Sequence, residues 1–472
     1  THDTHPHATL PVLALSVGML LLAGCAVGPN YRRPTVNVPD AYRGLDTREA
    51  PTTATASLGD QKWSEVFQDE QLQRLIQAAL QQNYDARIAA ARILQAQALL
   101  GVTRADQFPA LDAGATATSQ RTPSSGPFPK FETSSNQADL ALSWELDFWG
   151  KYRRATEAAR ANLLANEWAR QAVVSTLVAD VASSYFRLRE LDLELEISQR
   201  TLASRQESLR LIQDLADGGL TSLLDVRQAE QLVFTAGARI PDIERQIEQE
   251  ENFISVLLGN HPAAVPRGRT LTEQPHAPVV PTGLPSALLE RRPDIRQAEQ
   301  QLIAFNAQIG VARAAYFPQV SLTGAGGFRS SALSSLFSGP AGLWNLVGGV
   351  TQPIFAAGRI RSGVRFAEAQ QQEALLLYQQ TIQQAFQEVS DALVAYRRNQ
   401  EVRRQQELLS RSAQDASQLA DTRYRAGLTN YLEVLTNETN YFSAELGLAQ
   451  ARVNELNALV QLYRALGGGW QE

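Results

Sequence analysis

The feature that most constrains this chain is a stretch from Lys151 to Asp217 that holds neither Gly nor Pro. Gly and Pro are the residues that interrupt helices, so sixty-seven positions without either predict one uninterrupted helix. At 1.5 Å per residue it would be roughly 100 Å long, far more than a globular domain uses. Val174, Val181, Leu188, Leu195, Leu202 and Leu209 recur every seventh residue, with Leu177, Leu191 and Ile212 three positions on. That is the seam of a coiled coil. The helix ends at Gly218-Gly219-Leu220-Thr221, where glycine supplies a left-handed cap and a sharp reversal, and a return helix runs to about Leu258 with an expected interruption at Pro241.

The second half of the chain repeats the first. Gly310-Val311-Ala312-Arg313-Ala314 answers Gly101-Val102-Thr103-Arg104-Ala105, Gly427-Leu428-Thr429 answers Gly219-Leu220-Thr221, and Leu466-Gly467 answers Leu258-Gly259, at a constant offset of 208 or 209 residues. Each half is a helix, two strands, a very long helix, a turn and a return helix. The expected layout is a first repeat over 67–260, with strands at about 110–122 and 137–149 and the long helix at 151–217. A Pro-rich linker or collar occupies 261–286. A second repeat covers 287–472, with strands at about 319–328 and 342–355 and a long helix at 359–426. A break is expected at Asn83, and Phe108-Pro109 ends the first helical segment.

The strands carry a two-residue period. Leu140, Leu142, Trp144, Leu146 and Phe148 alternate with Ala141, Ser143, Glu145 and Asp147, and Leu111, Ala113, Ala115 and Ala117 alternate more weakly. Taken alone, this pattern also fits a half-buried strand of a soluble sheet. The repeat decides otherwise, because each strand pair sits at one end of very long helices. Four strands of membrane pattern cannot close a barrel, which needs about eight, and unpaired edges are not tolerated in lipid. Several copies must share one barrel, and three would supply twelve strands.

The start of the chain reads as an exported lipoprotein. A short apolar run, Leu10 to Leu22, leads to Leu22-Ala23-Gly24-Cys25, a lipobox whose cysteine takes the lipid, so 1–24 is read as a signal peptide and 25–66 as a lipidated, extended arm. No Lys or Arg stands in Thr1–Thr9, a departure from the usual leader. Ala26 after the cysteine, in place of Asp, favours the outer membrane.

Composition excludes other classes. A net charge of −6 with no basic face gives nucleic acid nothing to bind. Cys25 is the sole cysteine and only His261 and His276 lie beyond the start of the chain, so no metal cluster, no His-based catalytic site and no cofactor is expected. No Gly-x-Ser-x-Gly motif and no phosphate-binding loop occurs, and the chain is read as a non-enzyme.

With Cys25-Ala26-Val27-Gly28-Pro29-Asn30-Tyr31 at the start, Arg291-Arg292-Pro293-Asp294-Ile295-Arg296-Gln297-Ala298-Glu299 and Ala315-Tyr316-Phe317-Pro318-Gln319 inside, and two Gly-Leu-Thr turns, the whole mature chain resembles the NodT-type lipoprotein branch of the TolC-like outer-membrane efflux proteins. The resemblance implies a homotrimer forming a twelve-stranded outer-membrane β-barrel continued by a periplasmic α-helical coiled-coil barrel. It implies a periplasmic adaptor and an inner-membrane resistance-nodulation-division pump as partners, and a passive duct for small molecules as the function. A periplasmic scaffold or adaptor lipoprotein and a type I secretion duct are the alternatives. It further implies that Gly218, Gly219, Leu220 and Thr221, with Gly427, Leu428 and Thr429, are the adaptor-docking turns. Asp225 and Tyr424 would latch the closed tip across neighbouring hairpins. Leu432 and Glu433 would narrow the pore with an apolar and an acidic ring; at Thr436, where relatives often carry Asp, this sequence departs.

Overall fold

The computed structural model describes residues 26–43, 57–124, 127, 130–275 and 280–471. The expected signal peptide, the lipidation site Cys25, and 44–56 of the arm lie outside them. In chain order the main elements are α1 (Glu70–Gln82), α2 (Tyr84–Ala105), β1 (Ala110–Thr122), β2 (Phe131–Leu146), α3 (Lys151–Asp217) and α4 (Leu223–Leu257). They are followed by α5 (Pro293–Ala314), β3 (Gln319–Ser330), β4 (Gly342–Thr351), α6 (Arg359–Arg425) and α7 (Tyr431–Ala465). The duplication is visible in the lengths: α2 and α5 have 22 residues, α3 and α6 have 67, and α4 and α7 have 35. The described residues form two compact units.

The first unit comprises residues up to 35 with 92–166 and 298–378. It holds one antiparallel sheet in the order β1-β2-β3-β4. The register sorts side chains by face. Leu111, Leu142, Gly324 and Leu346 lie in one row, and Ala113, Leu140, Gly326 and Trp344 in another on the same face, with Trp144 beside Leu322 and Leu146 beside Val320. The opposite face carries Asp112, Ala141, Ala325 and Asn345, then Glu145 beside Ser321. β1, β2 and β3 are thus apolar on one side and mainly polar or small on the other, and the three apolar sides are the same side; β4 adds Trp344, Leu346 and Val350 to it but carries Leu343 and Val347 on the other. β1 and β4 each keep one unpaired edge, and every residue of β1 is exposed.

Strand ends differ from expectation. β2 starts at Phe131 rather than 137, because Glu132, Thr133 and Ser134, polar residues that suggested a loop, pair with Arg121, Gln120 and Ser119. It stops at Leu146 rather than 149: Asp147 leaves the ladder to accept the Arg153 amide at 2.9 Å, capping the start of α3, and Trp149 stacks on Phe317 at 4.7 Å. β3 extends to Ser330, two residues beyond the expected 328. β4 ends at Thr351 rather than 355, since Pro353 has no amide to give a ladder.

The arm is seated on this unit. The Val27 amide donates to the Trp149 carbonyl at 2.9 Å, and the Asn306 amide group donates to the Pro29 carbonyl at 3.0 Å. The buried Arg154 reaches Asn30 at 2.7 Å, and Arg33 pairs with Glu299 at 2.9 Å. Gly28, at φ +107°, faces Gly310 so closely that a Cβ on Gly28 would stand 2.5 Å from the Gly310 Cα. Two backbones can approach this far only where neither has a side chain.

The second unit comprises 36–91, 167–297 and 379–472. Here α3 is more than a seam: Leu177, Val181, Tyr185, Leu188 and Leu191 are buried, but so are Phe186, Arg189 and Glu190 on other faces. α4 runs unbroken through Pro241, against expectation. Proline removes one helical hydrogen bond, and Ala236 and Ile243, both 0% exposed, anchor the helix on either side of the gap. α6 ends at Arg425, one residue short of the expected 426.

The Pro-rich stretch is held by Asp69. Its Oδ1 accepts the Gln71 and Leu72 amides, capping α1, while Oδ2 accepts the Tyr185 hydroxyl at 3.0 Å, the Arg269 amide at 2.9 Å and the Gln274 side chain at 2.9 Å. Burial alone would raise this carboxyl; the bonds from Gln274, Leu72, Tyr185 and Arg269 outweigh it and hold it below the ordinary value.

Two outcomes are expected. Asp69→Ala should cost about 1.5–3 kcal/mol in a denaturant melt. Because the folded carboxyl is depressed, its contribution is complete above the unfolded value of about 3.9 and is lost as pH falls through the folded one, so the variant should lose less stability on acidification than the parent. In the sheet, Leu142→Arg should cost about 2–4 kcal/mol in lipid if it sits near the bilayer midplane, whereas Ser143→Arg should be tolerated. Equal costs at the two positions would overturn the assignment of faces.

Candidate channel tip and pore constriction

All the tip residues singled out by the sequence lie in the second unit, at the two reversals α3–α4 and α6–α7. Both turns have one geometry. The Leu220 amide reaches back to the Leu215 carbonyl at 2.8 Å and Gly219 to Ala216 at 2.9 Å; Leu428 reaches Arg423 at 2.9 Å and Gly427 reaches Tyr424 at 2.9 Å. Gly219 and Gly427 take φ +75° and +70°, the left-handed step such a helix end requires. Gly218, Leu220 and Leu428 are exposed, and Thr221 and Thr429 are half-buried behind them.

The return helices start alike. Ser222 caps α4 and accepts the Asp225 amide at 3.3 Å, and the Asp225 carboxylate accepts the Ser222 amide at 3.1 Å, a reciprocal capping box. Asn430 caps α7 and accepts the Glu433 amide at 3.2 Å. Asp225 and Glu433 are therefore the same position in the two repeats, third in the return helix. This equivalence escaped the sequence reading, although Ser222-Leu223-Leu224-Asp225 carries the capping-box spacing that announces it.

Asp225 makes no direct hydrogen bond to Tyr424 among the described residues. Its carboxylate takes the hydroxyls of Thr221 at 2.6 Å and Ser222 at 2.7 Å. Nor does it pair with Arg227, which binds Glu230 at 2.7 Å. Hydrogen bonds from Thr221 and Ser222 hold the Asp225 carboxyl below its usual range. Tyr424 is close by: burial raises its phenol, the Asp225 charge raises it further, and hydrogen bonding with Thr221 pulls it back. Thr221 thus binds Asp225 and lies near Tyr424. Behind them Tyr424 lies 5.4 Å from Tyr431, whose ring joins Ile212, Val226, Ala229, Ala420, Val434 and Leu435 in one buried cluster. Residues from α3, α4, α6 and α7 meet in it, so the two hairpins of a chain share one apolar core at their ends.

On α7, Leu432 is exposed, and Thr436, one turn on and on the same face, donates to the Leu432 carbonyl at 2.8 Å. Glu433 is engaged: Arg423 donates to Oε1 at 3.0 Å, and the Thr429 hydroxyl donates to Oε2. Arg425 pairs with Asp421 at 2.8 Å. No group of His, Cys, Asp and Glu among the described residues is placed to hold a metal ion, and none of the described helices is long and apolar enough to cross a membrane.

The family model described as "Outer membrane efflux protein" matches residues 75–260 and again 284–468, one match per repeat. The chain is 38% identical to the solvent efflux pump outer membrane protein SrpC of Pseudomonas putida, with 98% of each chain covered. It is also 38% identical to the probable outer membrane lipoprotein SilC of Salmonella typhimurium, covering 98% of this chain and 99% of that one. Among solved structures, the open state of the MtrE outer membrane channel of Neisseria gonorrhoeae superposes with a TM-score of 0.86 at 31% identity, over 95% of this chain and 99% of the other. The registered membrane-type strands, the paired long helices and the duplicated hairpin turns are the parts of a TolC-like outer-membrane channel with a periplasmic helical tunnel. This chain belongs to the outer membrane efflux protein family, as the passive outer-membrane duct of a tripartite efflux system and not as an enzyme.

Proposed function

We propose that three copies of this chain assemble into one channel, anchored by a lipid on Cys25 as well as by its barrel, and that a periplasmic adaptor engages the Gly218–Thr221 and Gly427–Thr429 turns to connect it to an inner-membrane resistance-nodulation-division pump. The carrying observation is the sheet. Four strands in register present one apolar face, and both outer strands keep an open edge that lipid cannot satisfy. Joined edge to edge, three such sheets give twelve strands, enough for a water-filled bore. The repeat boundaries set by the duplicated sequence, 67–260 and 287–472 around a collar at 261–286, are the units that alternate around the ring. The cargo is whatever the pump delivers; small organic toxicants are the reading that the solvent efflux relative favours.

The resting tip is closed by a latch at Asp225 and Tyr424, and in this chain Thr221, which donates to Asp225 at 2.6 Å, stands beside the Tyr424 phenol. Leu432, Glu433 and Thr436 line the constriction beside it. A neutral hydrogen bond contributes about 0.5–1.5 kcal/mol net, so three latches bias the closed state by a few kcal/mol. Asp225→Ala combined with Tyr424→Phe should therefore raise single-channel conductance in planar bilayers and admit large antibiotics into cells lacking the pump; Thr221→Val should do the same in part. Unchanged conductance in a double variant that still runs as a heat-resistant trimer would reject the latch and leave the buried cluster around Tyr431 as the seal.

A further inference from the structure

The two hairpin ends share one backbone geometry but differ in charge, and one of the differences lies behind the third residue of the return helix. In the first repeat Asp225 is met only by hydroxyls and an amide, from Thr221 and Ser222. The position of its nearest helical neighbour across the turn, 208 residues before Arg423, is Leu215, which packs into the apolar cluster. In the second repeat Glu433 is met by Thr429 in the same way, but also by the Arg423 guanidinium at 3.0 Å. The remaining acid of that hairpin end, Asp421, is paired with Arg425. Thr436 adds no charge. Two acids and two arginines leave the end of the second hairpin neutral.

The end of the first hairpin is different. Asp214 and Asp217 are exposed and carry no ion pair among the described residues, and Asp225 has only neutral donors. We propose that Arg423 is a specificity-determining residue of this channel: it cancels Glu433, so that the acidic ring expected at the constriction exerts little pull on cations, and the charge that selects ions at the tip comes from the first hairpin. The internal duplication supplies the control, one carboxylate with an arginine partner and its twin without. The proposal rests on Glu433 lining the bore. Within a narrow, low-dielectric passage three equivalent charges act together on one permeating ion, and each kT of potential changes the cation-to-anion ratio about sevenfold.

The test is the reversal potential of the purified, full-length trimer in planar bilayers under a potassium chloride gradient, for Arg423→Gln, Glu433→Gln and the double variant, with trimer content checked by heat-resistant migration. Arg423→Gln should raise cation preference several-fold, Glu433→Gln should lower it, and the double variant should return close to the parent. If Glu433→Gln lowers cation preference while Arg423→Gln changes nothing, Glu433 lines the bore uncancelled and the role given to Arg423 is wrong. If neither single variant moves the reversal potential, Glu433 does not line the bore, and both the proposal and the reading beneath it fall. Asp214→Asn with Asp217→Asn should reduce cation preference in the parent background; no change there would remove the first hairpin as the source of charge.

Discussion

A backbone amide or carbonyl in hydrocarbon has no water to turn to, and most of this architecture follows from that fact. The sheet satisfies its inner rows by pairing β1 with β2, β2 with β3 and β3 with β4, and can go no further within one chain. Its composition is adapted to neighbours of the same kind. Gly324 and Gly326 stand in the apolar rows between Leu142 and Leu346 and between Leu140 and Trp344, so large side chains on flanking strands have room to spread across the middle one. A soluble sheet would cover its apolar face with a helix; here Leu111, Leu140, Trp344 and Leu346 on that face stay exposed.

The helices solve a separate problem, how to hold a long α-helix straight and in place far from a conventional core. In the second unit α3 is buried on several faces between Leu177 and Leu191, and again at Ile212 near its end. In the first, Ala158 and Ala161 of α3 lie against Ala304 and Ala307 of α5, where small side chains let two helices approach closely. Heptad spacing supplies the pattern between such anchor points. Some anchors are polar: Asp69, satisfied by five donors, ties one helix start to the Pro-rich stretch.

Much of this was legible in the sequence because it is periodic or duplicated. The absence of Gly and Pro marked α3 to the residue, and the alternation from Leu140 to Leu146 marked the apolar side of β2. What could not be read was set by partners distant in sequence. Glu132, Thr133 and Ser134 look like loop residues until the register pairs them with β1, and Pro241 looks like a break until burial of Ala236 and Ile243 is known. At the tip, composition located the turns and suggested the acids, but nothing in the spacing showed that Arg423 would fold back over Glu433 or that Thr221 would bind Asp225 beside Tyr424.

The seat of the arm carries a consequence for how the molecule is made. Tyr31 and Glu299 meet across 268 residues of chain, and Gly28 rests on Gly310 with no space for a side chain on either. A segment at the start of the polypeptide is therefore completed by a helix of the second repeat, which leaves the translocation machinery long after it. Until α5 arrives, Glu299 is not there to meet Tyr31 and Arg33, nor Asn306 to meet the Pro29 carbonyl, and β2 has no β3 to pair with. Seating of the arm thus requires that both repeats have been delivered.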